Sequence, residues 1–252
     1  MLMAASMNLA VLQSCTLDDP KNDNTQTAES QRLVSVSSFM VTLVQYQYDN
    51  QGRVVAINDD VAEQTVRINY GSPMSVEVTE YSNGTPSYRT FWNDISLSSA
   101  GYITSMTIEE FYLDYDTEQW TRDGDPELCT LSYDNQGHLT RMSQADDIRN
   151  FQWRNGDLYE INMEGDGSET VTFTYTEIEN KGAQWGIDWP PLNTLFPTGL
   201  FGKAPAHYPA SCTADYETIR WAYSINNLGM IGSVQTYMDG ETVTYTYNYA
   251  KK

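Results

Sequence analysis

From about Leu33 onward, apolar and polar residues alternate with a period of two. Glu169–Thr176 (ETVTFTYT) puts Val171, Phe173 and Tyr175 on one face and threonines on the other. Glu241–Tyr249 (ETVTYTYNY) repeats the pattern with Val243, Tyr245, Tyr247 and Tyr249. Such alternation predicts antiparallel strands with one buried and one wet face. Turn signals separate the strands. Asn83-Gly84, Asn155-Gly156 and Asp239-Gly240 suit two-residue hairpins, where glycine takes a positive φ. Tyr48-Asp-Asn-Gln-Gly52 and Tyr133-Asp-Asn-Gln-Gly137 are longer versions, in which Asp can bond the backbone two residues on.

A loose repeat runs through these turns. Gly52, Gly101, Gly137, Gly156 and Gly229 are each followed by an apolar residue at +2 and another at +5. Those pairs are Val54/Ile57, Ile103/Met106, Leu139/Met142, Leu158/Ile161 and Ile231/Val234. In a regular strand this odd offset sends the two side chains to opposite faces. Either a β-bulge re-aims one of them or both faces of the sheet are covered. The glycines keep no fixed period, so the chain is not a solenoid. The pattern predicts an all-β fold: a single antiparallel meander of about 13–15 strands over residues 34–252, strongly curved or barrel-like.

One stretch breaks the rhythm. Residues 181–212 (KGAQWGIDWPPLNTLFPTGLFGKAPAHYPASC) lack alternation and hold five of the nine prolines. The expectation is an irregular apolar insertion that plugs or caps the sheet, with strands resuming at Thr218–Ile225.

Composition narrows the function classes. The chain carries 34 acidic and 14 basic residues, a formal net charge of −20. Nucleic-acid binding rests on Lys and Arg neutralising phosphates, so no nucleic acid is expected as partner. The surplus of charge keeps a strand-rich protein soluble and discourages edge-to-edge pairing.

The N-terminal residues 1–14 (MLMAASMNLAVLQS) are apolar or small and uncharged, as in the core of a signal peptide. No Lys or Arg precedes Lys21, so the usual basic lead is missing. Leu12-Gln13-Ser14-Cys15 resembles the lipobox of bacterial lipoproteins. That resemblance implies cleavage before Cys15, its lipidation and a membrane partner through the lipid anchor. Residues 15–33 then read as the lipidated cysteine and a polar tether.

The Y-x-x-x-G hairpins, Gly199-Leu-Phe-Gly-Lys203, and the following His207, Pro209 and Ser211 together resemble the bacterial lipoprotein family catalogued as domain of unknown function 4595. Its members are described as porin-like in fold. The YDNQGRV and YDNQGHL runs are also similar to the YD repeats of toxin shells. The resemblance implies a secreted or surface lipoprotein with a barrel-like sheet, in the outer membrane or at the surface of a Gram-negative bacterium. It implies no activity. The outward threonines of the ETVT strands argue against a lipid-facing band, so the body reads as soluble.

Candidate chemistry is sparse. His138 follows a turn and reads as exposed. His207, Ser211 and Asp215 could be drawn as a triad, but no GxSxG elbow accompanies them, and a packed or hydrogen-bonded histidine is the better reading. Asp114, Asp116 and Glu118 have calcium-loop spacing, yet Gln119 stands where the loop needs Gly. Arg122–Glu127 (RDGDPE) reads as a hairpin turn. Cys129 and Cys212 either pair in an oxidising compartment or remain separate buried thiols. No catalytic residue, metal site or cofactor is assigned. Aromatic faces stack on sugar rings and on proline-rich peptides, which makes Trp185, Trp189 and Tyr208 the candidates for a glycan or peptide ligand. The expected function is a non-enzymatic recognition or adhesion scaffold. The alternatives are a structural envelope protein without ligand, in which those aromatics are core, and a glycan hydrolase.

Overall fold

The computed structural model describes residues 31–165, 168–181, 199–214, 217–238 and 240–251. The strands are β1 (Gln31–Ser38), β2 (Val41–Tyr48), β3 (Val54–Asp59), β4 (Gln64–Asn69), β5 (Ser75–Ser82), β6 (Thr85–Leu97), β7 (Ile103–Asp114), β8 (Gln119–Arg122), β9 (Glu127–Tyr133), β10 (Leu139–Gln144), β11 (Asp147–Arg154), β12 (Asp157–Glu164), β13 (Glu169–Glu179), β14 (His207–Ala214), β15 (Glu217–Ile225), β16 (Ile231–Met238) and β17 (Glu241–Lys251).

Each strand pairs antiparallel with its neighbours, and β1 pairs with both β2 and β17, so the sheet closes on itself. β8 and β9 lie end to end along one edge of β7: Phe111–Asp114 pair with β8 and Ser105–Ile108 with β9. The seventeen elements therefore make a sixteen-stranded barrel. The RDGDPE stretch is the kink between β8 and β9 and does not reverse the chain, which corrects the hairpin expected there. β14 begins inside the expected insertion, at His207, because Pro209 and Cys212 take buried ladder positions opposite β13. β1 begins three residues before the expected boundary, and its Leu33 already belongs to the core.

The alternation resolves into a mainly apolar inside and a mainly polar outside. Val44, Tyr46, Ile57, Val66, Val76, Trp92, Met106, Leu131, Phe151, Phe173, Trp221 and Tyr245 are buried within the ring. Thr170, Thr172 and Thr174 on β13, and Thr242, Thr244 and Thr246 on β17, stand exposed on the outer wall. A round ring of this strand number would enclose a water-filled channel. Here the described inward side chains are mostly apolar and form one buried cluster, with Asp59 and Thr236 as buried polar exceptions on the same face.

The glycine repeat explains how one end closes. Val54/Ile57, Ile103/Met106, Leu139/Met142, Leu158/Ile161 and Ile231/Val234 are all buried, both members of every pair. A register shift separates the two in each case, inserting one extra residue on the strand. The same device serves Leu33/Val36 and Pro209/Cys212 without a glycine turn. Bulges sharpen the local twist and bend the strand. All seven lie at the same end of the barrel, where the chain turns from β2 to β3, β6 to β7, β9 to β10, β11 to β12 and β15 to β16. Segment 199–206 crosses that end. The Ile103 N–H donates to the Leu200 carbonyl at 2.8 Å, Lys203 N–H to Gly137 at 2.9 Å and Ala206 N–H to Gly156 at 2.9 Å. Phe201 packs edge-on against Trp92 with ring centroids 5.9 Å apart. The described part of the insertion thus caps the barrel, as expected.

At the opposite end the turns are tight. Phe39 and Met40 both hold positive φ (47° and 64°) in the β1–β2 turn, a conformation that suits Asn-Gly and costs larger side chains. Phe39 is 84% exposed and Met40 wholly so.

Two expected outcomes test this architecture. Gly202 has φ +90°, and a Cβ there would sit 2.5 Å from the Gly137 carbonyl oxygen. Gly202→Ala should therefore cost at least ~2 kcal/mol of stability in urea unfolding. In contrast, Phe39→Asn combined with Met40→Gly should stabilise by about 1 kcal/mol, read in the same assay.

Candidate functional site

The residues singled out in the sequence scatter across the barrel. Cys15, Trp185, Trp189 and Asp215 lie outside the described residues. Tyr208 is fully buried, stacked on Tyr223 with centroids 5.1 Å apart, so it is core and offers no stacking face to a ligand. Cys129 and Cys212 are buried and not joined in a disulfide; they lie on β9 and β14, strands that do not neighbour one another in the barrel. Burial pushes the Cys129 thiol up to about 12, leaving it un-ionised and unreactive.

The histidines serve the capped end. His138 is buried, contrary to the exposure expected after a turn: its ring stacks on Trp153 at 4.3 Å, and its Nδ1 lies 3.0 Å from Asp134 Oδ2. His207 Nδ1 lies 2.9 Å from Asp157 Oδ2, and its N–H donates to Asp157 Oδ1. Ser211 Oγ instead pairs with Thr174 Oγ1 at 2.7 Å. His207 is thus hydrogen-bonded as expected, though to Asp157. Asp114 accepts N–H bonds from Asp116 and Thr117, which hold its carboxyl below the usual carboxylate range and make it a turn cap.

Aromatic side chains lock the capped rim. Tyr48 donates to the Leu33 carbonyl at 2.5 Å. Tyr133 reaches Ile103, Tyr175 reaches Leu158, Tyr223 reaches Pro209 and Trp153 reaches Leu139, each at 2.7 Å. Every acceptor is the first inward residue of a bulged strand. Each lock ties that residue's carbonyl to the next strand of the ring. Burial pushes the Tyr48 hydroxyl up to about 12, against the pull of Arg32, and raises Tyr133, Tyr175 and Tyr223 as well. These groups hold the rim and perform no proton chemistry near neutrality.

The outer wall over β2–β8 differs from the rest. One register row runs Gln45, Asn58, Thr65, Thr79, Arg89, Phe111, Arg122, each opposite the next. At its β2–β5 end lies a concavity of about 380 Å³ near the tight-turn end of the barrel. Gln45, Asn58, Asp60, Glu63 and Tyr81 line it, and no Lys, Arg or His does. The side chains of Gln45, Asn58, Asp60 and Glu63 form no hydrogen bond or ion pair with another described residue, so their bonding capacity is unspent. Asp59 underlies this concavity and is 4% exposed. Burial lifts its carboxyl to about 6, although the N–H groups of Ala62 and Val61 pull the other way and Asp60 adds to the rise.

At the β6–β8 end the outer wall becomes aromatic. Trp92 points inward, so the adjacent Phe91 must point outward. It meets Phe111 edge-on at 5.6 Å. The Arg89 guanidinium lies 4.2 Å from the Trp120 ring centroid, and Arg122 lies 5.5 Å from that of Phe111. Glu109 accepts from Asn93 Nδ2 at 2.7 Å and from Arg122 Nη2 at 2.5 Å. Glu77 Oε1 stands 3.8 Å from Arg89 Nε. These ion pairs fix the rings in place more than they stabilise the fold. A trace of this site was present in the sequence: Arg89–Trp92 (RTFW) and Glu109–Leu113 (EEFYL) lose alternation, as happens when both faces of a strand are covered.

Asp59 makes stability depend on pH. Its folded value lies above the ordinary 3.8, so the folded state keeps the proton longer and this contribution declines as pH rises from about 4 through 6. Asp59→Asn keeps an oxygen to accept from Val61 and Ala62. It should flatten that decline and raise stability at pH 7 by about 2 kcal/mol relative to wild type, measured by urea unfolding across the pH range.

No family model and no curated protein matches the chain. Among solved structures, a porin-like protein from Bacteroides uniformis ATCC 8492 is similar in fold, with a TM-score of 0.55 at 16% identity, over 89% of this chain and 94% of that one. This likeness supports the closed all-β architecture, while the resemblances to the 4595 family and to YD repeats rest on their residues alone.

Proposed function

We propose that this chain is an exported envelope protein of a Gram-negative bacterium, tethered through lipid on Cys15, and that it recognises a ligand on the outer wall of its barrel. The observation that carries the reading is the inverted polarity of the barrel. The described inward side chains are predominantly apolar and buried, Leu200 and Phe201 cover one mouth, and the outer wall is largely polar with an aromatic band on β6–β8. A conducting barrel needs the opposite arrangement, a wet lumen and an apolar band facing lipid. With the interior spent on packing, the outer wall is left as the working surface. The porin-like description of the structural neighbour supports an envelope location.

The chain enters the barrel at Gln31, paired with Lys251 on the capped end. A tether from Cys15 therefore leads to that end, and the β2–β5 concavity stands away from the membrane. The recognition band lies on β2–β8. No catalytic role is assigned to any residue.

Photo-crosslinking in the native host tests this reading. A benzoylphenylalanine at Gln45 or Arg122 should capture envelope material on illumination, while one at Thr172, on the far wall, should not. Labelled fatty acid should enter the wild type and not Cys15→Ala. Equal capture from both walls, or none from either, would leave only the structural role.

A further inference from the structure

We infer that the β2–β5 concavity and the β6–β8 aromatic platform form one continuous binding band for a neutral oligosaccharide. This rests on the reading of the outer wall as the working face, and it names the chemistry of the ligand.

The two halves restrict the ligand in different ways. The concavity carries Asp60 and Glu63 with no basic residue in its lining, so it repels anions. On the platform the guanidinium groups of Arg89 and Arg122 are offset by the carboxylates of Glu77 and Glu109, so it adds no net charge that would select an ion. A ligand that spans both is therefore not an anion, and its part on the rings needs no charge. An apolar ligand is excluded at the first half, because desolvating free amides and carboxylates without giving them partners is costly. What fits is a neutral molecule rich in hydroxyls, with donors for Asp60 and Glu63 and both donors and acceptors for the amides of Gln45 and Asn58.

The second half adds a requirement for flat faces with weakly polar C–H groups. Trp120 and Phe111 lie on the outer wall of β8 and β7, held from one side by guanidinium stacking. Side chains pinned this way lose little freedom when a ligand settles on them, which favours binding. Pyranose rings meet both demands, with hydroxyls at the edge and C–H groups on the face. The span decides between one sugar and several. Thr65 and Phe111 sit on strands three steps apart in the register row, roughly 14 Å at the usual strand spacing. One ring cannot cover that distance, whereas a short chain of rings can.

Titration calorimetry of the purified full chain tests this. The probes are the neutral tetrasaccharides cellotetraose, maltotetraose, mannotetraose and chitotetraose, with tetragalacturonate as the anionic and tetraglucosamine as the cationic comparator. At least one neutral probe should bind, and more tightly than either charged one. Trp120→Ala and Asn58→Ala should each weaken that binding tenfold or more, with Thr172→Ala on the far wall unchanged. If Trp120→Ala lowers the melting midpoint, Gln45→Ala decides in its place, because its exposed side chain supports nothing else. Absence of binding by every neutral probe, tighter binding of a charged one, or neutral binding that Asn58→Ala and Gln45→Ala leave intact would overturn the inference. Crosslinks from Gln45 and Arg122 without saccharide binding would remove the saccharide and keep the outer-wall reading. Failure of both experiments removes the two together.

Discussion

A ring of sixteen strands can close without a channel only if inward side chains from facing walls meet. That constraint governs the structure. It demands a predominantly apolar inner surface, and it demands that at least one mouth be drawn in. The interior supplies the first condition through alternation, with Asp59 and Thr236 as buried polar exceptions. The second comes from the bulges at the capped end, which let two residues three apart, such as Leu139 and Met142, both face inward. Extra twist at each bulge draws that end together, and segment 199–206 covers what remains.

The aromatic locks follow from this arrangement. A bulge leaves part of the ladder unpaired, and a buried unpaired carbonyl is costly. Tyr48, Tyr133, Tyr175, Tyr223 and Trp153 each bring a donor to the carbonyl of the first inward residue of such a strand. A phenol or indole does two things here: its ring fills the tapering lumen and its donor tip satisfies the backbone. Aromatic richness in this protein is thus largely structural, and the buried Tyr208 is part of it. The aromatics on the outer wall of β6–β8 stand apart because no lumen needs them.

The fold was legible wherever a residue's role depends on its immediate neighbours. Alternation in the ETVT strands, the Asn-Gly turns and the Asp-x-x-Gly loops act within a few residues, and each predicted the element found there. The glycine repeat even posed the right choice, since an offset of three in a strand requires either a bulge or a second covered face. Two features were not legible. β14 lay hidden because prolines and an apolar run mask its alternation, and only the pairing partner β13 gives Pro209 a place in the ladder. His138 looked exposed because a position after a turn usually is, and Trp153, from another hairpin, covers it.

The amino-acid sequence by itself determined the class of fold, the spacing of its hairpins and the sign of its surface charge, because these depend on local φ/ψ preferences, on period and on composition. Closure into a barrel, the fate of Cys129, Cys212 and Tyr208, and the band on β2–β8 were decided only by tertiary structure. Phe91 and Trp92 are adjacent aromatics, and nothing local says which one faces the lumen. Once Trp92 meets Phe201 under the cap, the pleat sends Phe91 outward to join Phe111. The physical reason is that a strand has two faces and the chain cannot label them. The label comes from the walls that meet across the core.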